Sequence, residues 1–156
     1  MTLREFLAQN ASFNETNRRK GRDEWIAAVD RLLAQLRAWL TEAGAVELLD
    51  LEPLEFEKRE QGLGAYRIKG LAIHFGERTV KVVPVGRTVL ARLGPFAEAG
   101  HENAEGRVDI TNGTDKYCLY RKLTHDGEQW LVQHERSGIR PLDREQFEIV
   151  LQDLLS

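Results

Sequence analysis

Three short β-prone segments, separated by two turn signals, lie between residues 106 and 134 and constrain the fold more than any other stretch. The segments 107–111, 117–123 and 129–134 are rich in Val, Ile, Thr, Tyr and Trp, which suit a pleated, half-buried surface. Asn112-Gly113 and Asp126-Gly127 join them, and such dipeptides supply the positive φ that tight hairpins require. The pattern predicts a three-stranded antiparallel meander.

Two helices are predicted at the ends of the chain. Residues 23–44 repeat apolar side chains at helical spacing, and Gly44 suits the end of this long helix. Residues 142–155 form the terminal helix, with Asp143 as its N-cap. For residues 1–22 we expect a short helix from about Leu3 to Asn10 and then a loop, because the segment that follows is polar and contains glycine.

Alternating and apolar runs between the long helix and the terminal helix predict an antiparallel sheet over residues 46–135. The apolar residues move from even to odd positions near Gly70, and therefore to the other side of the strand, which predicts a β-bulge or kink there. Residues 88–93 are expected to be extended. Residues 94–105 show no periodicity and predict a long loop. We therefore expect one α+β domain over residues 1–156: an antiparallel meander of six to seven strands, with both helices on one face and the opposite face partly open.

Composition is typical of a globular chain rather than of a dedicated polyanion binder. The 156 residues are 42% hydrophobic and 30% charged, and the formal net charge is −3. The single cysteine, Cys118, cannot form an internal disulfide. The sequence shows neither a signal-peptide pattern nor an apolar run long enough to span a bilayer, so we expect a cytoplasmic protein without membrane association.

The residues that carry chemistry in enzymes do not assemble into a recognisable motif here. His101-Glu102-Asn103-Ala104-Glu105 comes within one residue of the zinc-protease pattern, but Glu105 stands where the second histidine belongs. Glu55, Glu57 and Asp109 lie on predicted strands, and such carboxylates are more typical of the solvent-exposed face of a sheet than of paired acid–base catalysis. We therefore expect no catalytic residue, metal or cofactor, and favour a protein that is not an enzyme.

Two kinds of binding protein agree with these observations. The first is a small non-catalytic interaction module whose partner is another protein or a second copy of the chain. The second is a nucleic-acid-binding protein, because a basic cluster could contact phosphates while cations and aromatic side chains interleave on a predicted strand. The candidate binding residues are Arg18, Arg19, Lys20, Arg22, Tyr120 and Lys122.

Overall fold

The structure is a computed structural model that describes residues 1–134 and 138–156, with the side chains of residues 11–13 left aside. The chain forms a long helix, seven strands and a second helix. The helices are α1 (Leu3–Glu42) and α2 (Arg144–Leu155). The strands are β1 (Asp50–Glu60), β2 (Gly64–Phe75), β3 (Arg78–Gly86), β4 (Arg107–Thr111), β5 (Lys116–Thr124), β6 (Gly127–His134) and β7 (Gly138–Pro141).

The seven strands form one antiparallel sheet in which spatial order follows chain order from β1 to β7. This confirms the predicted α+β meander, including the three strands on either side of the two turn dipeptides. Gly113 and Gly127 both have positive φ, and among the described residues only glycines do. The sheet extends beyond the predicted limit at residue 135, because Gly138–Pro141 pairs with β6.

Both helices pack on one face of the sheet, as predicted, and enclose the main core. This core contains Trp25 and Leu36 of α1, Phe147 and Leu151 of α2, and side chains of alternate strand residues such as Leu119. The rings of Trp25 and Trp130 lie with their centroids 6.2 Å apart. The buried face of α2 consists of Phe147, Val150, Leu151 and Leu154, and Asp143 caps the helix, as predicted, by accepting a hydrogen bond from the Gln146 backbone.

The prediction of a short helix and loop over residues 1–22 is wrong, because α1 runs without interruption from Leu3 to Glu42. Gly21 lies where α1 first approaches the β1–β2 hairpin. A Cβ on this residue would lie only 2.8 Å from Leu63 Cδ2. The glycine that suggested a chain break therefore permits close packing inside a helix.

Of the bulge or kink predicted near Gly70, the bulge is absent from the β1–β2 pairing, which continues through this residue without a register shift. Gly70 is tightly packed, and an added Cβ would lie 2.6 Å from the Val82 carbonyl oxygen. Ile68 and Leu71 have opposite parity along β2, yet both are buried in the main core. A register shift occurs instead between Pro84 and Gly86, in the β3–β4 pairing.

The second face of the sheet is not open in the way that we expected. Residues 87–105 lie outside the strands, contrary to the extended prediction for 88–93, and form a cover over this face. Leu93 and Ala104 of the cover pack with Tyr120 and Leu131 of the sheet in a second, smaller core. Residues 94–105 form the predicted loop, which contains a short 3-10 turn at Gly94–Phe96 and an isolated β-bridge from Asn103 to Arg92. The loop thus closes a surface that the sequence pattern left exposed.

Candidate interaction surface

The first half of α1 extends past the sheet. Every described side chain among residues 1–20 is exposed, whereas Trp25 is fully buried. We call residues 1–20 the N-terminal extension. Its 18 helical residues are about 27 Å long at 1.5 Å per residue. An isolated helix of this length is only marginally stable in water, because most helix stability in proteins comes from packing an apolar face.

The N-terminal extension carries an exposed apolar stripe formed by Leu3, Phe6 and Leu7. These side chains are 72%, 51% and 55% exposed. Leu7 precedes Trp25 by 18 residues, which is about five helical turns. Leu7 is therefore in line with Trp25 on the α1 face that packs on the sheet, Leu3 lies about 40° and Phe6 about 100° to one side of that line, and all three are at a level where the sheet has ended.

Local interactions specify where this helix begins. The Thr2 side chain accepts a hydrogen bond from the Glu5 backbone at 3.2 Å, and the Glu5 carboxylate accepts one from the Thr2 backbone at 3.1 Å. Thr2-Leu3-Arg4-Glu5 has the sequence pattern of this reciprocal capping box, which satisfies two amide donors at the helix start. Met1 and Phe6, the residues placed to form a hydrophobic staple at this start, both remain exposed. The exposed stripe is thus built on a defined helix start.

A buried ionic network fixes α1 on the sheet. Arg121 of β5 is only 2% exposed and faces the helices. Its guanidinium donates to Glu128 of β6 at 2.7 Å and to Glu24 of α1 at 3.0 Å. Arg31 of α1 binds the same Glu128 carboxylate with two hydrogen bonds of 2.8 and 3.0 Å, and Arg87 approaches Glu24 at 3.6 Å. Opposite charges thus link the helix, two strands and the start of the cover.

The network changes the protonation of Glu128. Burial by itself would raise the pKa of this carboxyl group, but hydrogen bonds from Arg31 and Arg121 outweigh burial and lower it. Sequence reasoning missed this network. Its only signal was an arginine at an inward-facing position of β5, flanked two residues on either side by Leu119 and Leu123.

An apolar groove lies at the other end of α1. It has a volume of about 420 Å³ and opens between the last turn of α1, the chain before β1 and the end of α2. Leu48 and Phe75 on its wall are 74% and 48% exposed. Its other apolar lining residues include Leu40, Ala43, Leu151 and Leu155. The protein therefore exposes apolar surface at both ends of its longest helix.

The structure separates the candidate binding residues into two groups. Arg18, Arg19 and Lys20 are exposed on the N-terminal extension. Arg22 is instead part of the helix docking, because it donates to the Leu63 carbonyl at 2.8 Å and pairs with Glu15 at 3.3 Å.

The two strand residues of the candidate set lie on the other side of the sheet from α1. Tyr120 is 7% exposed beneath the cover, and its hydroxyl donates to Gln133 at 3.1 Å. Lys122 shares the Tyr120 side of β5 by strand alternation and is half-buried. The basic cluster and the strand aromatic are therefore not brought together.

A polar cluster lies next to the smaller core. Arg107 binds Asp109 with hydrogen bonds of 2.8 and 2.9 Å, which engages the carboxylate considered for acid–base chemistry. Burial, and next the Asp109 carboxylate, raise the pKa of the neighbouring Cys118 thiol. Burial likewise raises the pKa of Tyr120. Activated cysteines have a lowered thiol pKa, so this arrangement favours a protonated, unreactive thiol.

The other two carboxylates considered for acid–base chemistry are engaged in surface ion pairs. Glu55 and Glu57 both pair with the exposed Arg67, at 3.6 and 2.9 Å. Within residues 1–134 and 138–156, the structure contains no group of three or more acidic, His or Cys side chains placed to hold a metal ion. Neither does this part of the chain include a helix with the length and hydropathy needed to cross a membrane.

Comparison with known proteins gave no relative. No protein-family model, curated protein or solved structure matches the chain. The exposed extension and the groove are thus the features of this chain on which a functional proposal must rest.

Proposed function

We propose that this protein is a non-catalytic interaction module that binds a protein partner through its N-terminal extension. One observation carries the proposal: about 27 Å of capped helix bears an apolar stripe that lies outside the main core. Large exposed apolar patches on globular proteins mark interaction sites. A helix that lays its apolar face into a groove is a recurrent form of protein recognition.

The rest of the fold supports a rigid presentation of the extension. Trp25, Val29 and Leu36 anchor the second half of α1 in the main core. The buried Arg121 pairs with Glu24 and Glu128, which ties the same half of α1 to two strands. An interaction helix continuous with such an anchored segment is pre-organised, and this reduces the entropy that binding would otherwise cost.

Photo-crosslinking from the extension tests the proposal. A photoreactive phenylalanine analogue at Phe6 lies on the stripe, whereas the same group at Ala8 lies on the opposite side of the helix. We expect a covalent protein adduct from position 6 and much less from position 8, in the cells that make the protein. Equal labelling from both positions, or none from position 6, would contradict the proposed function.

The exposed cations favour nucleic-acid binding as a second candidate function. Arg18, Arg19 and Lys20 lie side by side on the extension, and no ion pair joins them to another residue that the structure describes. Binding of phosphates by these side chains would make affinity fall steeply with salt. Binding by the cations alone would not require Tyr120, which is covered.

Salt-dependent retention distinguishes this second function. If it holds, the chain binds single-stranded DNA at low salt, and replacing Arg18 and Arg19 by alanine lowers the slope of log affinity against log salt by about 1.4, since each neutralised phosphate contributes about 0.7. Arg59 and Arg67, exposed on the β1–β2 hairpin, provide a matched double-alanine control. Absence of binding at low salt would exclude the second function without affecting the first.

A further inference from the structure

We propose that the partner of the N-terminal extension is a second copy of this chain, bound so that the two α1 helices run antiparallel and each stripe enters the apolar groove of the other copy. This inference rests on the proposed function and deepens it by naming the partner. Four independent observations support it: the surface area of the chain, the direction of the stripe, the position of the groove and the distribution of charge.

The chain exposes more surface than a compact monomer of its size. Its accessible area is 9687 Å² for 17.8 kDa. A compact monomer of that mass exposes about 8,000 Å², so the surplus is about 1,700 Å². A standard protein interface buries about 800 Å² on each partner. The surplus is therefore large enough to supply one side of a standard interface.

The direction of the stripe specifies where a partner must lie. Because Leu3 and Leu7 lie close to the line of the α1 face that packs on the sheet, and Phe6 flanks it, the covering protein occupies the sheet side of α1, beyond the β1–β2 hairpin. A second copy related by a two-fold axis perpendicular to the sheet, passing near residue 22, places its own sheet and helices there. This arrangement makes the interface reciprocal, as in the commonest symmetric dimers.

The position of the groove fits this arrangement. With antiparallel helices centred near residue 22, residues 3–7 of one copy lie beside residues 37–41 of the other. The apolar groove begins at Leu40 and Ala43. Leu3, Phe6 and Leu7 thus come to an apolar site in which Leu48 and Phe75 are themselves exposed. This contact would remove both the stripe and the exposed side chains of the groove from water in one step.

The distribution of charge favours antiparallel over parallel pairing. The extension carries four cationic and two acidic side chains. Antiparallel pairing about residue 22 places Arg18 and Arg19 opposite residues 26 and 25 of the other copy, close to its exposed Asp23. Parallel pairing would instead place the cluster Arg18–Lys20 directly against its own copy, where like charges repel. The distribution of charge therefore favours the same orientation as the groove.

The oligomeric state in solution is the first test. Light scattering of the purified full chain should give twice the monomer mass of 17.8 kDa at micromolar concentration. Replacing Phe6 and Leu7 by serine should weaken self-association at least 100-fold, whereas Ala8→Ser, on the other side of the helix, should leave it unchanged. A monomer at 100 µM, or equal effects of the two variants, would overturn the proposal.

Substitutions in the groove test the other half of the interface. Leu48→Asp should weaken the dimer as strongly as the stripe variant, because it places a charge in the apolar site. Leu90→Asp provides the matched control, since Leu90 is even more exposed, at 93%, and lies outside the groove. Unchanged dimerisation in Leu48→Asp, with an unchanged thermal transition, would overturn the assignment of the groove.

A distance measurement tests the orientation. Spin labels at Arg4→Cys in a Cys118→Ala background should lie about 55 Å apart in the antiparallel dimer, at 1.5 Å per residue along α1. Parallel pairing would bring the same labels within about 20 Å of each other, and that result would overturn the proposed orientation.

The crosslinking experiment separates failure of this inference from failure of the proposed function. An adduct at Phe6 whose mass corresponds to two copies of the chain supports both. A monomeric chain that crosslinks from Phe6 to a different protein retains the proposed function and overturns the inference. A monomeric chain that gives no adduct overturns both.

Discussion

At the scale of single residues, the closest packing surrounds Trp25. Gly106 has a φ of +148°, a region that L side chains rarely adopt, and an added Cβ would lie 2.2 Å from Cζ3 of the Trp25 ring. The ring is fully buried against Trp130. No sequence pattern reveals this close approach, because 81 residues separate the two partners along the chain.

Gly106→Ala is therefore expected to destabilise the protein by about 2–5 kcal/mol, from overpacking together with backbone strain. Urea unfolding at neutral pH measures the change. Gly62→Ala is the matched control, because a Cβ there meets nothing within 4 Å, and its effect should stay within about 0.5 kcal/mol. Similar stabilities for the two variants would show that the Trp25 ring can move away at little cost.

The buried arginine leads to a second prediction. Arg121→Met removes the buried cation of the network, while Glu128 keeps Arg31 and Glu24 keeps Arg87 as partners, so we expect a loss of about 1.5–3 kcal/mol. Arg67→Met removes an exposed pair with Glu57 and should cost at most about 1 kcal/mol. Thermal and urea unfolding of both variants would show whether the difference follows burial. Equal losses would contradict the role assigned to the network.

The lowered pKa of Glu128 gives this network a pH dependence. A carboxyl group whose folded-state pKa lies below its unfolded value of about 4.3 stabilises the fold above that pH, and this contribution is lost as pH falls through the folded pKa. The free-energy difference between the wild type and Glu128→Gln should thus be largest near neutral pH and shrink below about pH 4. A difference that grows on acidification would contradict it.

At the scale of elements, one carboxylate attaches the start of the segment 87–105 to the sheet. Glu60, at the end of β1, accepts hydrogen bonds from the backbone amides of Arg87 and Thr88 at 3.1 Å and from the Tyr66 hydroxyl. Burial, and next the hydrogen bond with Glu60, raise the pKa of Tyr66, so this hydroxyl remains a donor. The start of the cover is thereby attached to the β1–β2 hairpin, at the level where α1 leaves the sheet.

Glu60→Ala should release this attachment without unfolding the sheet. We expect faster amide hydrogen exchange and easier proteolysis within residues 87–105, because three donors lose their acceptor and the smaller core becomes accessible. The strands β5 and β6 should keep their protection. Glu57→Ala, on the same strand, is the control, since Glu57 pairs only with the exposed Arg67 in the described structure. Unchanged exchange in Glu60→Ala would show that apolar packing alone holds the cover.

At the scale of the whole molecule, the body of the protein does not depend on its extension. The core residues of α1 begin at Trp25, and no described residue among the first 20 belongs to either core. We therefore expect a chain that lacks residues 2–20 to fold with a melting temperature within a few degrees of the full chain, when both are compared as monomers. A large loss of stability would show that the extension packs on its own body.

The sequence by itself determined the type and order of most elements, because each depends on local chemistry. Gly113 and Gly127 mark hairpins, Thr2 with Glu5 and Asp143 with Gln146 mark helix starts, and alternation marks the strands. The tertiary structure decided what these local rules cannot specify. From the sequence Gly21 suggested a chain break, but in the structure it allows close packing of α1 against Leu63. From the sequence Arg121 suggested a surface cation, but in the structure it is buried and pairs with Glu24, which is 97 residues away.

Only the tertiary structure could also distinguish covered from uncovered apolar surface. Leu3, Phe6 and Leu7 have the same periodicity as the residues that bury α1 in the core, and periodicity identifies a face without identifying what covers it. Whether an apolar face is buried depends on where the sheet ends and on where residues 87–105 pack against it, and both are long-range properties of the chain. The physical reason is that burial is a relation between distant segments, whereas a pattern belongs to one segment alone.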